Sequence, residues 1–291
     1  MQRNKEISAL FNLIDDPDEE VFGAVSDRII NYGKEIIPNL EDLWENTISE
    51  EVQSRIEMLI HKLHYTDLVQ EFKNWKNSIH PDLFTGALLV ARYRYPELQK
   101  DEILADIEKL RKYIWLELNN FLTPLEQINV ISSIIFHYYN LKGTEINYYY
   151  PDHFLINKQL ENKKGNAIAN EILYLIISEQ LDIPIKAINI PNQFIMSYFK
   201  TDIDFMNDET VTYSTGFFID PLTGQIFTQR DLDSYLERMQ IQPNGAFYIP
   251  KDNLTLIRIL LEEFSLCYNN EEDKYKRDEL MQLAEILREK S

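Results

Sequence analysis

The apolar residues of this chain change their spacing once, near Gly143, and that change limits the fold more than any other feature. Before it they recur at three- and four-residue intervals, the period of helices that bury one stripe. After it come one helix that is apolar over most of its circumference and several short runs rich in Ile, Phe and Tyr. A chain patterned in this way keeps its helices and strands apart, so the expected class is α+β with a small antiparallel sheet.

The helical part begins with Ile7, Leu10, Phe11 and Ile14 on one face. Asp15-Asp16-Pro17-Asp18 breaks that helix and offers a cap for the next, which carries Val21, Val25 and Ile29 and stops at Gly33. Ile36, Ile37, Leu40, Leu43 and Trp44 make a third helix. Ser49 caps a fourth, with Val52, Ile56, Leu59, Ile60 and Leu63 inside. Glu19-Glu20-Val21 and Glu50-Glu51-Val52 each open a helix after a polar break, an echo of the helix pairs of HEAT-type repeats or simply of a helical cap. Residues 65–75, 81–93 and 101–118 read as further helices. Thr123 caps another, with Pro124 in its first turn and Ile128, Ile131, Ile134 and Ile135 inside. His137, within the apolar run IIFHYY, is expected in the core.

Beyond Gly143 the pattern predicts a buried helix over 166–179, from Ile168, Ile172, Leu173, Leu175, Ile176 and Ile177. Strands follow at 185–190, 194–199 and 216–220, bounded by Pro184, Pro191 and Pro221. A turn at Pro221-Leu222-Thr223-Gly224 leads to a short strand at 225–228. A helix over 230–239 and a pair over 253–266 and 273–290 close the chain. The expected regions are a helical HEAT-like part over 1–78, a core over 79–245 and a helical tail over 246–291.

Several function classes are excluded on composition. The formal net charge is −19, which repels phosphate backbones and anionic lipid headgroups, so neither nucleic acid nor a membrane is an expected partner. Only 8 of 291 residues are glycine, and no GxxxxGK[ST] or GxGxxG occurs, which argues against nucleotide loops. The single cysteine, Cys267, forms no disulfide within the chain and, on the apolar run LIRILLEEFSLCY, reads as buried and inert. No apolar run approaches the roughly 18 residues that span a bilayer. The opening MQRNKEISAL lacks an apolar signal core, so a soluble cytoplasmic protein is expected. Glu57, His61 and His64 share a helix face but lack the HExxH order, and the acidic run Asp15–Glu20 lacks a calcium-loop pattern, so no metal and no cofactor is expected.

The run NYYYPDHFLINKQLENKKGNAIAN, followed by LDIPI, IPNQF and FIDP, resembles the transglutaminase-like superfamily, and more narrowly its bacterial SirB-like branch. That branch joins a helical N-terminal part to a transglutaminase-like core and a tetratricopeptide-like tail. The resemblance implies a cysteine at the helix start, a histidine opening the next strand and an aspartate ending the one after. Those positions here are Ala167, Gln193 and Asp220. Alanine offers no nucleophile, and glutamine has no pKa near neutrality with which to act as a base. The expectation is a catalytically inactive protein acting as a protein-binding or regulatory module, with Gln193 hydrogen-bonded to Asp220. Asn166, Tyr149, Tyr150 and His153 are the candidate binding residues around the cleft. The competing expectation is a hydrolase or acyl transferase using displaced residues, with His153 and Asp220 within hydrogen-bond reach of each other.

Overall fold

A computed structural model describes residues 2–202 and 212–288, and its chain divides into two compact units, residues 1–74 and 75–291. In the first unit lie α1 (Gln2–Phe11), α2 (Glu19–Ile30), α3 (Ile37–Asn46) and most of α4 (Glu50–Lys76). Its core is built from Ile14, Phe22, Val25, Ile29, Ile36, Ile37, Leu40, Val52, Ile56, Leu59 and Leu63. Asp18 caps α2, its carboxylate accepting the Glu20 N–H at 2.9 Å. The stretch that reads as two helices in the sequence, from the Ser49 cap to Trp75, is the single 27-residue helix Glu50–Lys76.

Arg55 on α4 holds the turn before α2. Its guanidinium donates to the carbonyls of Ile14 and Asp16 at 2.9 and 2.7 Å and to Glu19 at 3.1 Å, and lies over the Phe22 ring. One planar cation thereby satisfies a turn that Pro17 prevents from continuing as helix.

The second unit contains α5 (Leu83–Arg94), α6 (Lys100–Glu117) and α7 (Pro124–Ser132), the last opened by a complete capping box between Thr123 and Glu126. Helix α7 widens into a π-turn over Ser133–Tyr138. Ile131, Ile134 and Ile135 face inward there, and His137 falls on the exposed side, not in the core where its apolar neighbours suggest.

Then come β1 (Lys142–Thr144), α8 (Ile156–Asn162), β2 (Lys164–Asn166) and α9 (Ala167–Gln180). Every residue of α9 from Ile168 to Ser178 is buried. The sheet follows: β3 (Ile185–Ile188), β4 (Ile195–Asp202), β5 (Thr212–Ile219) and β6 (Ile226–Phe227), antiparallel in that order, with Met196 opposite Ile219. Leu232 and Leu236 of α10 (Gln229–Arg238) join Ile188, Ile195, Phe199 and Phe218 in a core against this sheet. Helices α11 (Asn253–Ser265) and α12 (Lys274–Arg288) close the unit, and the last two residues expected in α12 lie outside the described ones. The result is an α+β architecture with a small sheet. Among the described residues no helix is long and apolar enough to cross a membrane.

Candidate functional site at the head of helix α9

Two three-residue strands position the site. Strands β1 and β2 pair in parallel, with Gly143 opposite Gly165 and Thr144 opposite Asn166. Both glycines are required by close approach. A Cβ on Gly143 would stand 2.2 Å from the carbonyl oxygen of Leu222, and one on Gly165 would stand 2.5 Å from Asn170 Oδ1. The turn that follows Asp220 therefore docks on β1, β1 docks on β2, and β2 delivers the chain to the first residue of α9.

That first residue is Ala167, half-buried, with Asn166 as the cap before it. Asn166 is wholly buried and its Oδ1 accepts the Ala169 N–H at 3.0 Å. No acidic residue lies in the first turn of α9. The first-turn N–H groups and the positive end of the helix dipole are thus presented beside a methyl group.

Asp220 is turned inward on its own loop. Its Oδ1 accepts the Leu222 N–H at 2.9 Å and its Oδ2 accepts the Thr223 hydroxyl at 2.6 Å. Gln193 lies near the same end of the sheet, two residues before β4, but on an exposed turn opened by Asn192 at a φ of 60°. The expected Gln193–Asp220 hydrogen bond is not formed: Gln193 lies exposed on its turn, and the carboxylate oxygens accept from Leu222 and Thr223 instead.

His153 belongs to a 3-10 turn, Pro151–Phe154, that packs against β2. Its Nδ1 stands 3.5 Å from the Thr144 hydroxyl, and its ring stacks on Tyr150 at 5.2 Å. Partial burial, then the charge of Lys164, holds its pKa below the ordinary histidine value, against the pull of Asp152. Asp152 is itself engaged, with the Tyr95 hydroxyl at 2.9 Å and Arg94 Nε at 3.3 Å. His153 thus meets Thr144 and Tyr150, and no bond joins it to Asp220.

The tyrosines divide. Tyr148 donates to Glu263 and stacks on Phe154, whereas Tyr149 is 91% and Tyr150 55% exposed. Cys267 lies beyond the end of α11, and burial pushes its thiol up to about 12, against thiolate formation. Glu57 accepts the Trp44 indole N–H at 3.0 Å, which explains that carboxylate without a metal.

The sequence reading missed Thr144 and Lys164, which sit on strands too short and polar to show a period. It also missed Glu171. Its carboxyl is fully buried and neither oxygen has a hydrogen-bond partner. Burial pushes its pKa up to about 7, opposed by the nearby Lys251, whose own pKa is lowered by burial.

Among curated proteins, a UPF0162 protein of Xylella fastidiosa (strain 9a5c) is 24% identical over 172 residues, covering 58% of this chain and 55% of that protein. The UPF0162 protein YchA of Escherichia coli (strain K12) is 21% identical over 184 residues, 62% of this chain and 64% of that protein. A UPF0162 protein of Buchnera aphidicola matches to the same extent. The match thus spans between about half and two thirds of the length of these relatives. No solved structure matches the chain. The profile described as the transglutaminase-like superfamily matches residues 101–262, a stretch that holds β1, β2, the whole of α9 and the Asp220 turn, and by that match the chain belongs to the transglutaminase-like superfamily.

Proposed function

We propose that this protein is a catalytically inactive transglutaminase-like protein, close to the SirB-like branch, that works as a protein-binding or regulatory module. One observation carries the reading. The aspartate at the position the resemblance assigns engages both carboxylate oxygens inside its own turn, and the first side chain of α9 is a methyl. Acyl transfer by this fold needs a thiolate and an oriented base, and Ala167 and Gln193 supply neither. The exposed rings of Tyr149 and Tyr150 at the rim favour binding, since aromatic side chains dominate the energetics of protein contacts.

The helical first unit is read in the same way, as a HEAT-like binding surface. A net charge of −19 and one high-pKa thiol fit a cytoplasmic protein with a peptide or protein partner. The test is turnover of an activated acyl ester and an acyl amide by the wild-type chain and by A167C/Q193H. The reading expects no saturable turnover by wild type, and iodoacetamide labelling at residue 167 only in the double variant. Saturable wild-type turnover would sink it.

A further inference from the structure

We propose that the head of α9 is a binding site for an external carboxylate, with Asn166, the Ile168 N–H and Lys164 as its recognition elements. The inference rests on the reading of this cleft as non-catalytic.

Asn166 is the first ground. It is 0% exposed, yet its Nδ2 has no hydrogen-bond partner. The orientation of the amide is fixed by the network, since Oδ1 takes the Ala169 N–H. Nδ2, on the same planar group, therefore stands at the helix head as a donor without an acceptor. Leaving such a donor unmet costs about 1–3 kcal/mol in a buried place, so native structures rarely keep one without a use. Asn170, one turn further, repeats the pattern: its Oδ1 accepts from Gln159 at 2.8 Å and its Nδ2 has no partner.

The helix itself is the second ground. Helix α9 has 14 residues and no acid in its first turn. Ala169 is served by the cap and the Ala167 N–H by the β1–β2 ladder, in which Thr144 stands opposite Asn166, which leaves the Ile168 N–H with no acceptor inside the helix. A helix N-terminus of this kind attracts an anion through its N–H groups and its dipole.

Local charge is the third. The chain is strongly acidic as a whole, and the groups at this end are Lys164 on β2, His153 and the exposed Glu145 that follows Thr144, with Lys164 close enough to depress the histidine pKa. Asp152, the acid beside them, is engaged by Tyr95 and Arg94. The way in is over Ala167, which is half-exposed where Asn166 is closed. Tyr150, stacked on His153, and the exposed Tyr149 stand at the rim, so a carboxylate carried on a peptide has aromatic faces to lie against. A planar carboxylate matches this set better than a tetrahedral dianion, because the donors are one backbone N–H group and one side-chain amide rather than a cluster of guanidinium groups.

The experiment is amide NMR on the full-length chain, at constant ionic strength. The titrants are sodium acetate, N-acetyl-Phe-Gly with a free carboxylate, its carboxamide, N-acetyl-glutamate diamide and inorganic phosphate. Saturable shifts are expected at Ala167 and Ile168 with acetate in the millimolar range and with the peptide acid more tightly, and none with the carboxamide. Comparison of the peptide acid with the glutamate derivative tells a chain terminus from an acidic side chain as the natural source. The variant is Asn166→Asp, which still caps the helix. It loses the amide donor and adds a negative charge, and should weaken acetate by about tenfold or more. Lys164→Gln should weaken it by about twofold to fivefold. Absence of saturable shifts, with only ordered water at Asn166, would overturn the proposal. So would unchanged binding by Asn166→Asp, or phosphate held more tightly than acetate. Saturable wild-type turnover inhibited by acetate would refute the non-catalytic reading and leave the carboxylate site standing, so the two failures are separable.

Discussion

Arg55 in the first unit and Glu171 in the second are both charged side chains removed from most or all solvent, and they are treated in opposite ways. Arg55 reaches two backbone carbonyls and Glu19, and its plane rests on Phe22. Glu171 reaches no donor at all, and its one counter-charge, Lys251, stands beyond hydrogen-bond contact. The same contrast separates Asp220, whose oxygens are both bonded, from Asn166 and Asn170, whose amide nitrogens are not. Satisfied polar groups hold this fold in place, and most of the unsatisfied ones among the described residues lie on α9 or at its cap, with Asn157 Oδ1 on α8 the exception. Buried polar groups left unmet are uncommon in native proteins, and their concentration on one element marks it as the place where structure has been subordinated to something else.

Three measurements break or sharpen that contrast. The largest effect is expected at Glu171. Its folded pKa lies near 7, above that of the unfolded chain, so the folded state holds the proton more tightly. Stability therefore falls as the pH rises through that interval, and above it the folded state carries a penalty on the order of 3 kcal/mol. Glu171→Met should raise stability at pH 8 by up to roughly that amount and flatten the fall, as read by urea melts across the pH range. An unchanged or lower stability at pH 8 would mean that Glu171 is satisfied after all. Arg55 should respond with the opposite sign. Arg55→Met strands two carbonyls and should cost about 2 kcal/mol in the same melts at pH 7, with little dependence on pH. A cost near zero would remove the turn-holding role. The smallest effect is at His153. Its depressed pKa keeps it neutral in the free protein, and a bound carboxylate favours its protonated form. Acetate binding should therefore tighten by about threefold as the pH falls through the histidine range, and His153→Gln should abolish that slope without abolishing binding.

Much of the scaffold is legible in the sequence, because it depends on local signals. Asp18 and Thr123 cap the helices they are expected to cap. The apolar circumference of α9 correctly reads as burial, and Pro184, Pro191 and Pro221 bracket the strands. The departures come from contacts that no period encodes. Glu171 lies in the run IANEILYLIISE, where an acid ordinarily turns to solvent, and only the packing of neighbouring elements around α9 closes over it. Strands β1 and β2 have three residues each, below the length at which alternation can be seen. Their one signal is glycine: in a chain with 8, Gly143 and Gly165 both fall where another group comes too near for a side chain. His137 was placed by the composition of its neighbours and not by its phase on the helix, and the wide turn over Ser133–Tyr138 leaves it outside. The candidate site divides in the same manner. The motif proposes Ala167, Gln193 and Asp220, whereas the closure of Asp220 upon Leu222 and Thr223 is a matter of turn geometry.

That closure is also where the account is most exposed. If Asp220 serves its turn and no reaction, Asp220→Asn should behave as a stability variant. The decisive measurement is acyl-ester and acyl-amide turnover by the wild-type chain and Asp220→Asn side by side, each checked by thermal melting. The account predicts no saturable turnover from either and a lowered melting temperature for the variant. Saturable turnover by the wild type that disappears in a folded Asp220→Asn protein would contradict it.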